Sequence, residues 1–445
     1  MLLRSALHEI RRVALYVGQW MAVTVPLAVA IGSAVALFLW ALDRATGLRQ
    51  ANGWLLYLLP VAGGLVGYFY HRWGKGSDAG NNLIIDEIHE PGGGVPARMA
   101  PFVLVATVVT HLFGGSAGRE GTAVQIGGAF ASAFDRHVMR RIPAAMQTML
   151  DARVLLQAGM AAGFGAVFGT PIAGTVFALE VLAVGEVSHV ALVPCAIAAI
   201  TGDWTVAWWG VHHVQYPQVV LATLGVSRGD LAVLGKVAMA SVLFGLVSQL
   251  FARGTHAVSA FLKHAVATPW LRPVVGGAVV IALTMTLGTR DYLGLGVVNP
   301  GGGVSIISSF SDGGAHGLSW LYKLVFTAVT VGSGFKGGEV TPLFFIGATL
   351  GNTLAVLMHA PVGLFAALGF VAVFAGATNT PLACTLMGLE LFGADAAVYI
   401  AIACFIAYLC SGRAGIYASQ RRARSKLGTD ENARPDLAGQ SGRVS

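Results

Sequence analysis

Charge is what this sequence lacks most. Of its 445 residues 11% are Asp, Glu, Lys or Arg, while 55% are hydrophobic. A soluble domain carries roughly 25% charged residues. Mean hydropathy is +0.70. So few charges could not wet the surface of a soluble protein of this length, which excludes soluble enzymes and nucleic-acid-binding modules. Cysteine is almost as scarce. Cys195, Cys384, Cys404 and Cys410 all lie in apolar stretches, at spacings that suit neither a metal site nor a disulfide framework. Long apolar runs and 59 glycines are what the chain has instead. Backbone facing lipid must satisfy its own hydrogen bonds, so an all-α polytopic membrane protein is expected. Small residues let its helices pack closely or break.

Apolar segments run at 13–42, 54–70, 100–113, 154–184, 187–209, 231–252, 274–288, 320–331, 343–358, 361–375 and 396–411. The first, from Val13 to Leu42, is too long for the apolar part of a signal peptide and reads as a spanning helix. Several others fall short of the roughly 20 residues that cross a bilayer, and Gly or Pro interrupts many of them. Broken helices in a membrane protein place their ends at polar sites. The basic residues Arg4, Arg11 and Arg12, the loop bearing Arg136, Arg140, Arg141 and Arg153, and the tail bearing Arg421, Arg422, Arg424 and Lys426 are expected on the cytoplasmic side. Both termini would then be cytoplasmic. One transmembrane domain, 1–412, is expected, with 413–445 as a polar, disordered cytoplasmic tail that holds no regulatory domain.

The chain repeats itself. TPIAGTVFALE at 170–180 returns as TPLACTLMGLE at 380–390, matching through Thr, Pro and the closing Glu180 and Glu390. Upstream, GGSAGREGTAVQIGGA at 114–129 aligns with SGFKGGEVTPLFFIGA at 333–348 and pairs Glu120 with Glu339. The shared order implies two structural repeats, about 15–210 and about 230–412.

Within these motifs a Gly-rich loop leads into an apolar helix with Glu120 in its first turn. Helix N-termini offer free N–H groups and a partial positive charge to anions. A carboxylate there caps the helix; one that a free anion can displace and a proton can neutralise makes a gate. An ionisable group inside a membrane protein is functional by default. Glu339 is expected to do the same in the second repeat, followed by Thr341 and by Pro342 in the first helical turn. Phe344 and Phe345 could turn positive ring edges to an anion, or could be plain packing. Asn81 and Asn82 open a short apolar run with amide donors, in the capping role Asn commonly fills or as anion ligands. Tyr417 offers a phenol that holds an anion loosely, as conduction requires. His212–His213 with Asp203, and His89 with Glu87 and Glu90, are too loosely spaced for metal ligation. No metal, no cofactor and no enzymatic activity is expected.

In sequence order, GREG at 118–121, the repeated TPxAxT…E, the Gly-rich segment ending in Pro342 and the late Tyr417 resemble the CLC family of chloride channels and anion/proton antiporters. The likeness covers about 15 to 420. It implies two inverted repeats of short, tilted, partly discontinuous helices, a homodimer with one pore per subunit, Glu120 as the gating glutamate, Asn81 at the family's central serine, and Tyr417 as a donor to the bound anion. Three departures point to the fluoride-exporting branch, CLC-F. GNNLI stands in place of GSGIP, Thr122 in place of Pro, and Val181 where many chloride/proton antiporters carry a second acid. In that branch Glu339 and Thr341 replace an apolar segment, and Glu339 becomes the inner proton-linked carboxylate. The resemblance therefore implies a fluoride/proton antiporter of the bacterial inner membrane; a chloride/proton antiporter or chloride channel is the alternative. Its partners would be fluoride, protons, lipid and a second copy, with no nucleic acid.

Overall fold

The structure, a computed structural model, describes residues 2–74, 76–141, 150–227, 229–422 and 426. It is helical, as the composition requires. In the first half α1 (Leu2–Ala51) leads to α2 (Leu59–Trp73), α3 (Asn81–His89), α4 (Met99–Leu112), α5 (Glu120–His137), α6 (Ala152–Phe168), α7 (Pro171–Glu180) and α8 (Leu192–Trp208). In the second half α9 (Leu231–Ala265) leads to α10 (Arg272–Leu287), α11 (Ser319–Gly332), α12 (Val340–Met358), α13 (Val362–Thr378), α14 (Pro381–Phe392) and α15 (Ala397–Cys410). Two short strands, β1 (Ala183–Val184) and β2 (Arg421–Arg422), pair in parallel. Among the described residues six helical segments are long and apolar enough to cross a membrane, and shorter apolar helices fill the spaces between them.

Packing follows the repeat. In the first half α1 lies against α4, α6 and α8; in the second α9 lies against α11, α13 and α15. The apolar segment 154–184 is cut in two, for a local reason. Gly169 adopts a left-handed conformation with φ 72° that ends α6, and Pro171 starts α7 at a position needing no N–H. Asn379, with φ 57°, and Pro381 do the same between α13 and α14. The matching Thr-Pro motifs are therefore helix restarts. α1 is longer than its apolar segment: 50 residues, or about 75 Å of helix, continuing through Pro26.

The two halves meet through reciprocal contacts. The Glu180 carboxylate, at the end of α7, accepts from Leu382 N at 3.1 Å and Ala383 N at 2.9 Å, the free N–H groups that open α14. The Glu390 carboxylate, at the end of α14, accepts from Ile172 N at 2.9 Å and Ala173 N at 2.8 Å, which open α7. Each helix thus caps the other, the mark of a two-fold relation. The end of the repeat motif is a structural clasp: an anion on a helix N-terminus, with two charge-assisted bonds on each side.

The same symmetry corrects the alignment of Glu120 with Glu339. Gly114 and Gly334 share the left-handed turn, with φ 93° and 103°, that follows α4 and α11. Gly118 faces Gly338 in an antiparallel bridge. Arg119 and Glu339 are the N-caps of α5 and α12. The counterpart of Glu339 is therefore Arg119, and Glu120 matches Val340. Glycines close to each helix start let the two sequences align one residue out of structural register, since any glycine pairs with any other until backbone conformation tells them apart.

The start of the expected tail is docked. Arg421 N donates to Leu182 O at 3.0 Å as β2 joins β1. Gln420 donates to Thr378 O at 2.9 Å and accepts from Asn379 Nδ2 at 2.8 Å. Residues 413–422 are thus part of the helical body, held by backbone and amide bonds that a polar composition does not reveal. The rest of the tail except Lys426, and residues 142–149 of the basic loop, lie outside the described residues.

Glu180→Ala should destabilise the protein by about 3 kcal/mol, because it leaves two N–H groups without their charged acceptor. Glu180→Gln, which keeps one acceptor oxygen, should lose less. Thermal unfolding of both variants in detergent checks this, and wild-type stability in Glu180→Ala would disprove the clasp.

Candidate functional site

The loops 113–119 and 333–339 cross at their glycines. Gly118 N donates to Gly338 O at 2.5 Å, and Gly338 N to Gly118 O at 2.7 Å. No side chain fits there. A Cβ on Gly118 would lie 2.8 Å from Glu120 Oε2 and 3.0 Å from both Thr341 N and Pro342 Cδ. This crossing sets the first turns of α5 and α12 against each other.

Glu120 is 1% exposed and reaches across to the start of α12. Its Oε2 accepts from Thr341 N at 3.0 Å and Arg119 N at 3.1 Å. Thr341 Oγ1 donates to Glu120 Oε1. Arg119 Nε lies 3.5 Å from the same oxygen. The carboxylate therefore occupies an anion position at the N-terminus of α12, with backbone and hydroxyl donors and the Arg119 guanidinium around it.

A third helix start joins the pair. Gly80, with φ 59° and ψ −131°, makes the turn into α3, a conformation that favours glycine. Asn81 then stands beside the first turn of α5: a Cβ on Gly121 would lie 3.1 Å from Asn81 Nδ2. Asn81 Oδ1 is buried without a hydrogen-bond partner. Asn82 is turned elsewhere, and its Oδ1 accepts from Ser419 N at 3.1 Å. It anchors the segment that carries Tyr417. Tyr417 is 9% exposed, packs edge-on to Phe177 at 6.4 Å, and lies in electrostatic range of Glu339 and Glu120. Glu339 is half-buried, immediately before α12; its carbonyl accepts from Leu343 N at 3.1 Å, and its carboxylate makes no hydrogen bond among the described residues.

The two phenylalanines separate, as neighbours about 100° apart on a helix must. Phe344 stacks on Phe370 at 3.9 Å and meets Phe374 at 5.2 Å and Phe168 at 5.4 Å. That aromatic wall continues through Phe177 to Tyr417. Phe345 faces the other way, with Lys323 Nζ 5.3 Å over its ring. Phe345 also meets Tyr292 edge-on at 6.1 Å, apart from the wall that Phe344 joins.

Two cavities flank the cluster. One of about 650 Å³ reaches Arg119; another of about 420 Å³ reaches Tyr417 and is lined by Arg413, Arg422, His256 and Asn379. Sequence reading missed the part played by Arg119 beside Glu120. It also missed Tyr216, which packs on Phe370 at 5.2 Å within electrostatic range of Glu120. Arg119 was visible inside GREG; nothing local marks Tyr216, which sits in an irregular segment.

Crossed glycine loops, opposed helix starts and a carboxylate held between them define a membrane protein built to handle anions. The chain belongs to the voltage gated chloride channel family, whose model matches residues 62–412. It is 50% identical over 411 residues to the "Chloride/fluoride channel protein" of Pseudomonas syringae pv. tomato, covering 92% of this chain and 88% of that one. Its fold matches the crystal structure of a CLC-type fluoride/proton antiporter with a TM-score of 0.83 and 35% identity, over 91% of this chain and 98% of that one. A slow cyanobacterial Cl−/H+ antiporter shares the fold, with a TM-score of 0.74 at 18% identity, over 90% of this chain and 96% of that one. The family moves ions across membranes and performs no catalysis.

Asn82→Leu should leave the helices folded but release the segment after Tyr417, with a loss of about 1 kcal/mol from one hydrogen bond. Limited trypsin digestion should then cut faster at Arg421 and Arg422. Unchanged cleavage would show that Asn82 does not hold the segment.

Proposed function

We propose that this protein is a fluoride/proton antiporter that exports fluoride from the cytoplasm, driven by inward proton movement. The observation that carries this reading is Glu120 held on Thr341 N and Oγ1, in the place a small anion would take. Ionised, the carboxylate occupies the helix start. Protonated, it loses its charge-assisted bonds and yields to an anion. Fluoride is small and strongly hydrated, so several fixed donors must replace its water. Thr341 N–H and hydroxyl, Arg119 N–H and the Asn81 amide supply such a set. Tyr417 adds a phenol on the route to the second cavity, with Phe344 as wall. The similarity to a relative named for chloride and fluoride, and to a fluoride/proton antiporter structure, favours fluoride over the chloride alternative.

Glu339 serves as the second proton-carrying group in this reading. It no longer rests on symmetry with Glu120. It rests on position: a carboxylate one residue ahead of α12, without a hydrogen-bond partner among the described residues, in range of Tyr417. Residues 1–412 act as one transporter unit with inverted repeats. The unit works as a homodimer in the bacterial inner membrane, both termini cytoplasmic as the basic segments favour.

Efflux from matched proteoliposomes, with pH recorded, tests the substrate. Fluoride should leave at least about tenfold faster than chloride, a difference of about 1.4 kcal/mol in barrier; equal rates would return the chloride reading.

Glu120→Gln and Glu339→Gln keep shape and remove titration. Each should abolish uphill, proton-driven fluoride movement while the protein still folds. Coupled exchange at the wild-type rate in Glu339→Gln would leave that residue a helix cap and nothing more.

A further inference from the structure

The turn before Glu120 is braced from behind by groups that the transport reading does not use. His111, near the end of α4, is fully buried. Its Nε2 lies 3.0 Å from Ala117 O and its Nδ1 2.9 Å from Thr107 O. Ala117 O has no other donor among the described residues, while Thr107 O lies in the helical ladder of α4. A buried carbonyl left bare is costly, so the proton of the ring is assigned to Nε2, which donates to Ala117. Thr107 continues the chain of contacts. Its Oγ1 stands 2.7 Å from Thr122 Oγ1 in the first turn of α5, and both residues are fully buried. His111 and Thr107, one helical turn apart on α4, therefore grip the chain on both sides of Glu120.

The loop ahead of Glu120 is tied residue by residue. Gly115 N donates to Thr110 O at 2.8 Å, and Ser116 N to Thr330 Oγ1 at 3.1 Å. Ala117 is held by the ring and Gly118 by Gly338. A Cβ on Gly337 would lie 2.5 Å from Ala117 Cβ, so the loop has no slack on that side. The second repeat lacks this brace. In the register set by Arg119 and Glu339, Val331 stands in place of His111 and Pro342 in place of Thr122. Packing common to both repeats does not require the ring; the repeat that carries Glu120 has it.

We propose that His111 is a positioning residue for Glu120, an inference that rests on the reading of Glu120 as the gate. The ring holds the Ala117 carbonyl three residues ahead of Glu120 and so fixes where the carboxylate meets Thr341. Hydrogen bonds weaken steeply with misalignment, and a small swing of the loop is enough to loosen that hold. Glu120 then leaves the Thr341 donors more readily, and fluoride passes without its proton.

The test compares three replacements of His111 in proteoliposomes, with fluoride efflux and proton uptake recorded together. Gln places an amide nitrogen where Nε2 lies and Asn where Nδ1 lies; Leu offers neither. His111→Leu and His111→Asn should raise the fluoride moved per proton at least about fivefold, the worth of one hydrogen bond, while His111→Gln stays near the wild-type ratio. A ring that only helped the protein to fold would lower both fluxes together and leave the ratio alone. Thr122→Val keeps the shape of its side chain, cuts the second link and should move the ratio the same way. Amide exchange read by mass spectrometry over residues 113–121 follows the loop itself: it should be faster in His111→Leu and restored in His111→Gln. That exchange pattern, found in a wild type without proton-coupled fluoride movement, would remove the proposed function and still support the brace on Glu120. Unchanged exchange in His111→Leu, or one ratio common to all three replacements, would overturn it.

Discussion

A helix that begins inside a membrane protein exposes N–H groups that neither water nor lipid can satisfy, and the architecture here depends on meeting that demand. It is met by carboxylates drawn from elsewhere in the chain. Glu180 and Glu390 close the starts of α14 and α7. Glu120 closes the start of α12. The physics is the same in all three, and the consequences differ with what else can reach the position. The two outer clasps use both carboxylate oxygens on consecutive N–H groups of one helix. Glu120 shares its oxygens among Thr341, its hydroxyl and Arg119 N, at a crossing flanked by cavities on two sides. Glu120, 1% exposed, joins the starts of α5 and α12, while Glu180 and Glu390 join α7 and α14 and so hold the halves together.

Small residues make this arrangement possible. A Cβ on Gly127 would run into the carbonyl of Gly159, and one on Gly347 into that of Gly369. The helix pairs α5–α6 and α12–α13 thus approach backbone to backbone in both repeats. The first turns of α5 and α12 are brought together by the Gly118–Gly338 bridge, where side chains are again absent. The aromatic wall from Phe168 through Phe344, Phe370 and Phe374 lies along the same helices, extending the packed repeat towards Tyr417.

Asymmetry between the repeats carries as much meaning as their likeness. Equivalent caps are Arg119 on α5 and Glu339 on α12, opposite in charge at the same backbone position. The first repeat thus contributes a cation, Arg119, and the carboxylate of Glu120 in succession. The second contributes a carboxylate and then a backbone and hydroxyl that receive Glu120. Two identical sites would have placed like charges face to face; the exchanged signs let one helix supply the anion that the other binds.

Much was legible in the residues alone. Scarce charge and long apolar runs required helices in lipid, because only helical backbone satisfies itself there. Thr-Pro and the closing Glu marked the repeats, and Gly-rich loops ahead of Glu120 and Thr341 marked helix starts where anions gather. These are local signals, written within a turn or two of chain. What the residues could not reveal was partnership across the fold. Glu180 and Glu390 looked like matching ends of two helices, and only their crossing over showed each capping the other. Asn81 and Asn82 looked interchangeable until one met α5 and the other met Ser419. Phe344 and Phe345 parted because adjacent helical side chains point apart, towards surroundings that helix packing alone supplies. The register of Glu339 was decided by φ angles at Gly114 and Gly334, since a glycine carries no side chain by which sequence could tell it from its neighbour.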